Sequence, residues 1–102
     1  MDIPQQRQAI ASLRDTLAAH RPAADRLERV AVDASVIGVV NKEIVDEARH
    51  LGEVATSLLE SARSAAAGNR DDNELTALLL QVTGFHKQVE VALAQLVQLP
   101  PR

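Results

Sequence analysis

Apolar residues recur in a seven-residue pattern from Leu27 to Ala66 of this 102-residue chain. Alanines dominate one row of the pattern, larger aliphatic residues form a second row, and a third row of small and aliphatic residues widens the stripe. The three rows are Leu27, Ala34, Asn41, Ala48, Ala55 and Ala62; Val30, Ile37, Ile44, Leu51, Leu58 and Ala65; and Ala31, Gly38, Val45, Gly52, Leu59 and Ala66. A stripe of this width predicts a helix that faces two other helices in a bundle.

A shorter helix is predicted before this region. Pro4 favours its start, because proline at the first helical position loses no needed hydrogen bond. Pro22 predicts its end near His20, because a residue that precedes proline avoids helical geometry. The apolar stripe of this helix consists of Ile10, Leu13 and Leu17.

A last helix is predicted near the end of the sequence. Gly68 or Asn69 is expected to stop the preceding helix in a left-handed conformation. Asp71 and Glu74 have the spacing of a capping box that opens the next helix. Its apolar stripe consists of Leu75, Leu78, Val82, Phe85, Val89, Ala92, Leu96 and Leu99, and Pro100 and Pro101 follow it.

The stretch VAVDASVIGVV, residues 30–40, decides between two architectures. The chain is predicted to be a single all-α domain, 1–102, folded as an antiparallel helical bundle with a long central heptad-patterned helix at about 22–67. Unbroken, that helix would be about 69 Å long at 1.5 Å per residue, and three helices would dimerise into a larger bundle. A break near Gly38, with Asn41 as the cap of a new helix, would instead give a monomeric four-helix bundle. Because the heptad phase continues through the stretch, the continuous helix is favoured over a break or a strand.

The continuous helix predicts a homodimer, because several valines of this stretch lie off the main stripe and need cover on another side. Asn41, a polar residue on the stripe, is expected to fix the register of such an association. The predicted interface consists of Val32, Val36, Ile37, Val39, Val40, Asn41 and Ile44.

The composition of the chain limits the classes of function that it supports. The net charge of −3 gives no basic surface for nucleic acid or an anionic membrane. Phe85 is the one aromatic residue of the sequence, so stacking on bases or lining a cofactor pocket has little support, and no cofactor is predicted. The chain has no cysteine, no signal peptide pattern and no apolar run near the roughly 20 residues of a membrane span. We therefore expect a cytoplasmic protein of bacterial type.

Two motifs point to chemistry. Glu47 and His50 form a Glu-x-x-His motif one turn after Glu43, a spacing that supplies ligands in di-iron bundles. All three project opposite the apolar stripe, so a solvated helix face is the preferred interpretation. His86 is considered as a phosphoacceptor but is expected to be a half-buried bundle residue. His20 is expected to cap a helix C-terminus.

The sequence thus predicts a non-enzymatic helical interaction or scaffold module that self-associates and binds a helical partner through apolar faces. A small metal-binding or histidine phosphotransfer bundle is the alternative. A chaperone-like cradle for an amphipathic client is a third hypothesis.

Overall fold

A computed structural model describes residues 3–102 as three helices packed side by side. They are α1 (Ile3–Ile37), α2 (Lys42–Ala67) and α3 (Asn73–Val97). Contacts of α1 with α3 join residues in the same order along both helices, whereas α2 runs antiparallel to both. The molecule measures 51 × 17 × 16 Å. The predicted all-α helical bundle is confirmed.

The predicted continuous helix over 22–67 is wrong, because the chain turns between α1 and α2. Gly38 has a φ of +89°, which lies in the left-handed region and ends α1. The Asn41 side chain then accepts a hydrogen bond of 3.0 Å from the N–H of Glu43 and caps α2. Asn41 is exposed, so it acts as a helix cap and does not fix register within an apolar stripe.

The predicted helix end before Pro22 is also wrong, because α1 continues through this proline. The buried residues Leu17, Ala24 and Leu27 keep the three- and four-residue spacing of a single stripe on both sides of it. Pro22 and Ala18 are exposed, so water can reach the Ala18 carbonyl that lacks a helical donor. The alternative break near Gly38, with Asn41 as the cap of a new helix, is confirmed, but α1 runs through Pro22, so the bundle has three helices and not four.

The core is made entirely of apolar side chains contributed by all three helices. In the described part of the chain no polar or charged residue is buried. The predicted stripe of α3 is confirmed over its helical part, where Phe85 is the largest fully buried side chain. The buried residues of α2 are Ala48, Leu51, Gly52, Ala55, Leu58, Leu59 and Ala62.

The turn between α2 and α3 uses different residues from those predicted. The helix ends before Gly68, but this glycine has a φ of −80°, so no left-handed stop is present. The cap of α3 is Asp72 and not Asp71: its carboxylate accepts hydrogen bonds of 2.9 and 3.2 Å from the N–H groups of Glu74 and Leu75. The same carboxylate accepts from the amide of Gln6 near the start of α1.

The C-terminal residues form hydrogen bonds with the turn between α1 and α2. The N–H of Val40 donates to the Pro100 carbonyl at 3.1 Å, and the N–H of Arg102 donates to the Val40 carbonyl at 2.8 Å. These bonds form a single parallel bridge, and Val40 belongs to the core, where it is only 4% exposed.

Candidate interaction surfaces

The predicted interface residues do not form one surface. Val36, Ile37 and Val32 lie on the last turns of α1 and are 83%, 68% and 54% exposed. Val40 is buried in the hydrophobic core, and Val39 is half-buried beside it. The exposed part of the prediction is therefore the end of α1.

The other two predicted interface residues belong to the second helix. Asn41 caps α2, and Ile44 is half-buried against the core one turn further on. Both side chains make contacts within the single chain. Neither therefore adds to the surface formed by the exposed valines of α1.

A second set of exposed aliphatic side chains continues the surface of α1 onto α3. Val32 and Val91 line the same groove between the two helices, about 540 Å³ in volume. Leu80, 70% exposed, lies one turn before Gly84, which also lines the groove. We call this surface the α1–α3 face; it comprises Arg21, Asp25, Glu28, Val32 and Val36 of α1 and Leu80, Gly84, Lys87 and Val91 of α3.

Charged groups of both signs line the middle of the α1–α3 face. Asp25 and Glu28 both accept a hydrogen bond from the Gln88 amide, at 2.8 and 2.9 Å. Arg21 and Lys87 line the same groove. Among residues 3–102 the ion pairs lie elsewhere, between Arg14 and Glu74 at 3.6 Å and between His86 and Glu90 at 3.7 Å. The two carboxylates are thus held together by one neutral donor.

Sequence reasoning missed the contribution of α3 to this face. The signal was present, because Leu80, Gly84 and Val91 follow helical spacing on a side of α3 other than its core stripe. A helix that carries aliphatic residues beyond its core stripe has a second surface to cover. The core stripe by itself is sufficient to predict α3 as a helix, so the sequence gives no separate reason to examine this second set of residues.

A different groove, of about 560 Å³, separates α1 from α2. Its floor is apolar and includes Leu27, Ile44 and Leu51, while His20, Glu47 and His50 are among the residues that line it. The structure therefore brings His20 to the same groove as the predicted Glu47 and His50. His20 does not cap a helix end: its Nδ1–H donates to the Thr16 carbonyl at 2.8 Å, in the interior of α1.

The residues considered for metal binding are not gathered into a site. Across residues 3–102, no three His, Cys, Asp or Glu side chains lie close enough together to hold a metal ion. Glu43 sits in the first turn of α2, and Glu47 and His50 follow on exposed positions. These side chains are separated enough to be solvated individually.

His86 lies between α2 and α3, where it was expected to be half-buried. Its side chain is 26% exposed, and Nε2 lies 3.4 Å from the Thr56 hydroxyl and 3.7 Å from a Glu90 oxygen. A single ring nitrogen therefore faces both neighbours, and the expectation of a half-buried bundle residue is confirmed.

Comparisons with protein-family models, with curated proteins and with solved structures find no significant match to this chain. Within residues 3–102, no helix combines the length and the apolar character required to span a membrane.

Proposed function

We propose that this chain is a non-enzymatic helical interaction module that self-associates and binds helical partners through exposed apolar faces. The observation that carries the proposal is the clustering of Val32, Val36 and Val91 at one end of the α1–α3 face, each at least 50% exposed, with the exposed Leu80 further along the same side of α3. Single exposed aliphatic residues are normal on a protein surface, but a contiguous group of them is typical of an interaction site.

The size of the apolar term supports association. Complete burial of one valine or leucine side chain contributes about 1.5–3 kcal/mol. Four such side chains on one side of a small bundle therefore offer a driving force comparable with the cost of bringing two chains together. A helix laid into the groove between α1 and α3 would cover them, which is a common way for helical proteins to associate.

The setting that suits this proposal is the cytoplasm. The chain has no cysteine, so neither its fold nor its association depends on an oxidising compartment. We therefore propose a cytoplasmic interaction or scaffold role, in which binding rather than catalysis is the activity.

The test replaces Val36 by aspartate and measures association by sedimentation velocity over a wide range of concentrations. We expect the wild type to associate as its concentration rises and V36D to remain a monomer. Because Val36 is 83% exposed, V36D should keep its helical circular dichroism and its unfolding midpoint in urea.

The matched control is I37D, which replaces another exposed aliphatic residue at the end of α1, 68% exposed and outside the α1–α3 face, by the same charge. Both aspartates lie near a helix C-terminus and carry the same small dipole penalty. I37D should associate as the wild type does. A wild type that is monomeric at every concentration, or a V36D protein that still associates, would contradict the proposal.

A further inference from the structure

We infer that the α1–α3 face binds a second copy of this chain across a twofold axis that lies in the interface, perpendicular to α3 and level with the helix turn between Gly84 and Lys87. In this dimer Leu80 of each copy packs against Val32 and Val91 of the other. The inference rests on the proposed self-association and adds the partner, the symmetry and the residues in contact.

The order of residues along α3 makes the face self-complementary. Leu80 and Val91 are about 16 Å apart at 1.5 Å per residue, and the midpoint between them falls between Gly84 and Lys87. A twofold axis through that midpoint exchanges the two ends, so that each leucine meets the other copy's groove at Val32 and Val91. The same apolar contact then forms twice, as an isologous interface requires.

Gly84 gives independent support for a close approach at this axis. It lies in the interior of α3, and a Cβ built on it would have no heavy atom within 4 Å. Glycine in a helix interior costs about 1 kcal/mol relative to alanine. No packing within the described chain requires a glycine here, whereas two α3 backbones that cross near the axis would use its missing side chain.

The charges on the face also fit a second copy. Arg21 and Lys87 line the same groove as Asp25 and Glu28. Asp25 lies beside Gln88 on one side of the axis, and Arg21 lies one turn earlier on α1, so a twofold rotation brings Arg21 of one copy level with Asp25 of the other. Each copy thus supplies the positive charge that Gln88, the neutral donor within the chain, does not.

The dimensions of the molecule allow an interface of ordinary size. A rod 51 Å long and 16 Å wide offers a long side for contact. Specific protein–protein interfaces bury about 800 Å² on each partner, and a side of this length and width supplies that area.

The test uses the absence of native cysteine, since a single introduced thiol is then unique. K87C places a thiol beside the proposed axis with Gly84 unchanged, and S57C places one on the exposed surface of α2. Under mild oxidation we expect K87C to form a covalent dimer at least roughly tenfold faster than S57C, because association raises the effective thiol concentration.

A second measurement tests the leucine contact by sedimentation. L80D removes two leucines from each dimer, each worth roughly a tenfold change in affinity, and should weaken association by roughly 100-fold. S57D, on α2, should leave association unchanged.

The outcomes separate this inference from the proposed function. If the wild type associates but L80D does not weaken it, or K87C reacts no faster than S57C, the twofold arrangement is overturned and self-association stands. If the wild type is monomeric at every concentration, both the twofold arrangement and the proposed self-association are overturned. The remaining partner for the α1–α3 face is then a helix of a different protein.

Discussion

Gly38 lets α1 end where α2 must begin. Its φ of +89° turns the chain back within a connection of four residues, 38–41. A residue with a Cβ is strained in this conformation, whereas glycine adopts it freely. The side of the turn is open, and a Cβ added at Gly38 would have no heavy atom within 4 Å, so the requirement for glycine is conformational and not steric.

We expect G38A to lower the free energy of unfolding by about 1–2 kcal/mol, because alanine must adopt the left-handed backbone conformation. Urea unfolding followed by circular dichroism measures the change. The control is G68A, at a glycine with a φ of −80° and only ordinary contacts around its added Cβ. G68A should change stability little or increase it, and an equal loss in both variants would contradict this explanation.

Asn41 shows how far a single residue could be predicted. Its two roles, helix cap and polar residue on the stripe, were both open from the sequence, because asparagine is favoured at helix starts and is also used inside coiled coils. Only the backbone conformation decides between them. Asp72 was missed by one position for a similar reason, since two adjacent aspartates can each cap a helix.

At the scale of elements, α1 is unusual because it contains a proline in its interior. Pro22 removes one helical hydrogen bond and disfavours helical geometry in the preceding residue, at a cost of about 3 kcal/mol. Burial of Leu17 before it and of Ala24 and Leu27 after it holds both halves of α1 on the same core. Tertiary packing therefore overrides the local preference.

Replacing this proline should stabilise the protein. P22A restores a helical N–H, and we expect the free energy of unfolding to rise by about 1–2 kcal/mol after the greater entropy of the unfolded chain is subtracted. P4A is the matched control, since proline in the first turn of α1 loses no helical hydrogen bond. A smaller effect of P22A than of P4A in urea unfolding would show that Pro22 carries no such cost.

The apolar stripes predicted the helices better than they predicted the breaks. The stripe of α3 identified its buried residues, because all of them lie on one uninterrupted helix. Across residues 38–41 the heptad phase was misleading, since both flanking helices face the same core and can keep a common phase across a turn. At Pro22 the stripe was informative, because Leu17 and Ala24 are seven residues apart and share one side of α1.

At the scale of the whole molecule, the C-terminal residues and the α1–α2 turn stabilise each other. The N–H of Val40 donates a backbone hydrogen bond to Pro100, and its carbonyl accepts one from Arg102. No sequence pattern marks this contact, because it joins main-chain groups about 60 residues apart. No sequence pattern marks the α1–α3 face either, since α1 and α3 are distant in sequence and adjacent only in the folded bundle.

Removal of residues 100–102 should lower the free energy of unfolding by about 1–3 kcal/mol, since two backbone hydrogen bonds of about 0.5–1.5 kcal/mol each are lost. The Val40 amide should then exchange with deuterium much faster in NMR measurements. P101A keeps both hydrogen-bonding groups and should have little effect on either quantity. Unchanged protection of Val40 after the truncation would contradict the bridge.

The distance in sequence between α1 and α3 has a consequence for the order of folding. Helices α2 and α3 are neighbours joined by a short turn, whereas contacts such as Gln6 with Asp72 join residues that are 66 positions apart in sequence. Because local contacts form with less loss of chain entropy, the α2–α3 hairpin should form before α1 docks on it. The α1–α3 face exists only after that last step. Assembly through this face would therefore be reserved for chains that have finished folding, and partly folded chains would lack the surface that recruits a partner.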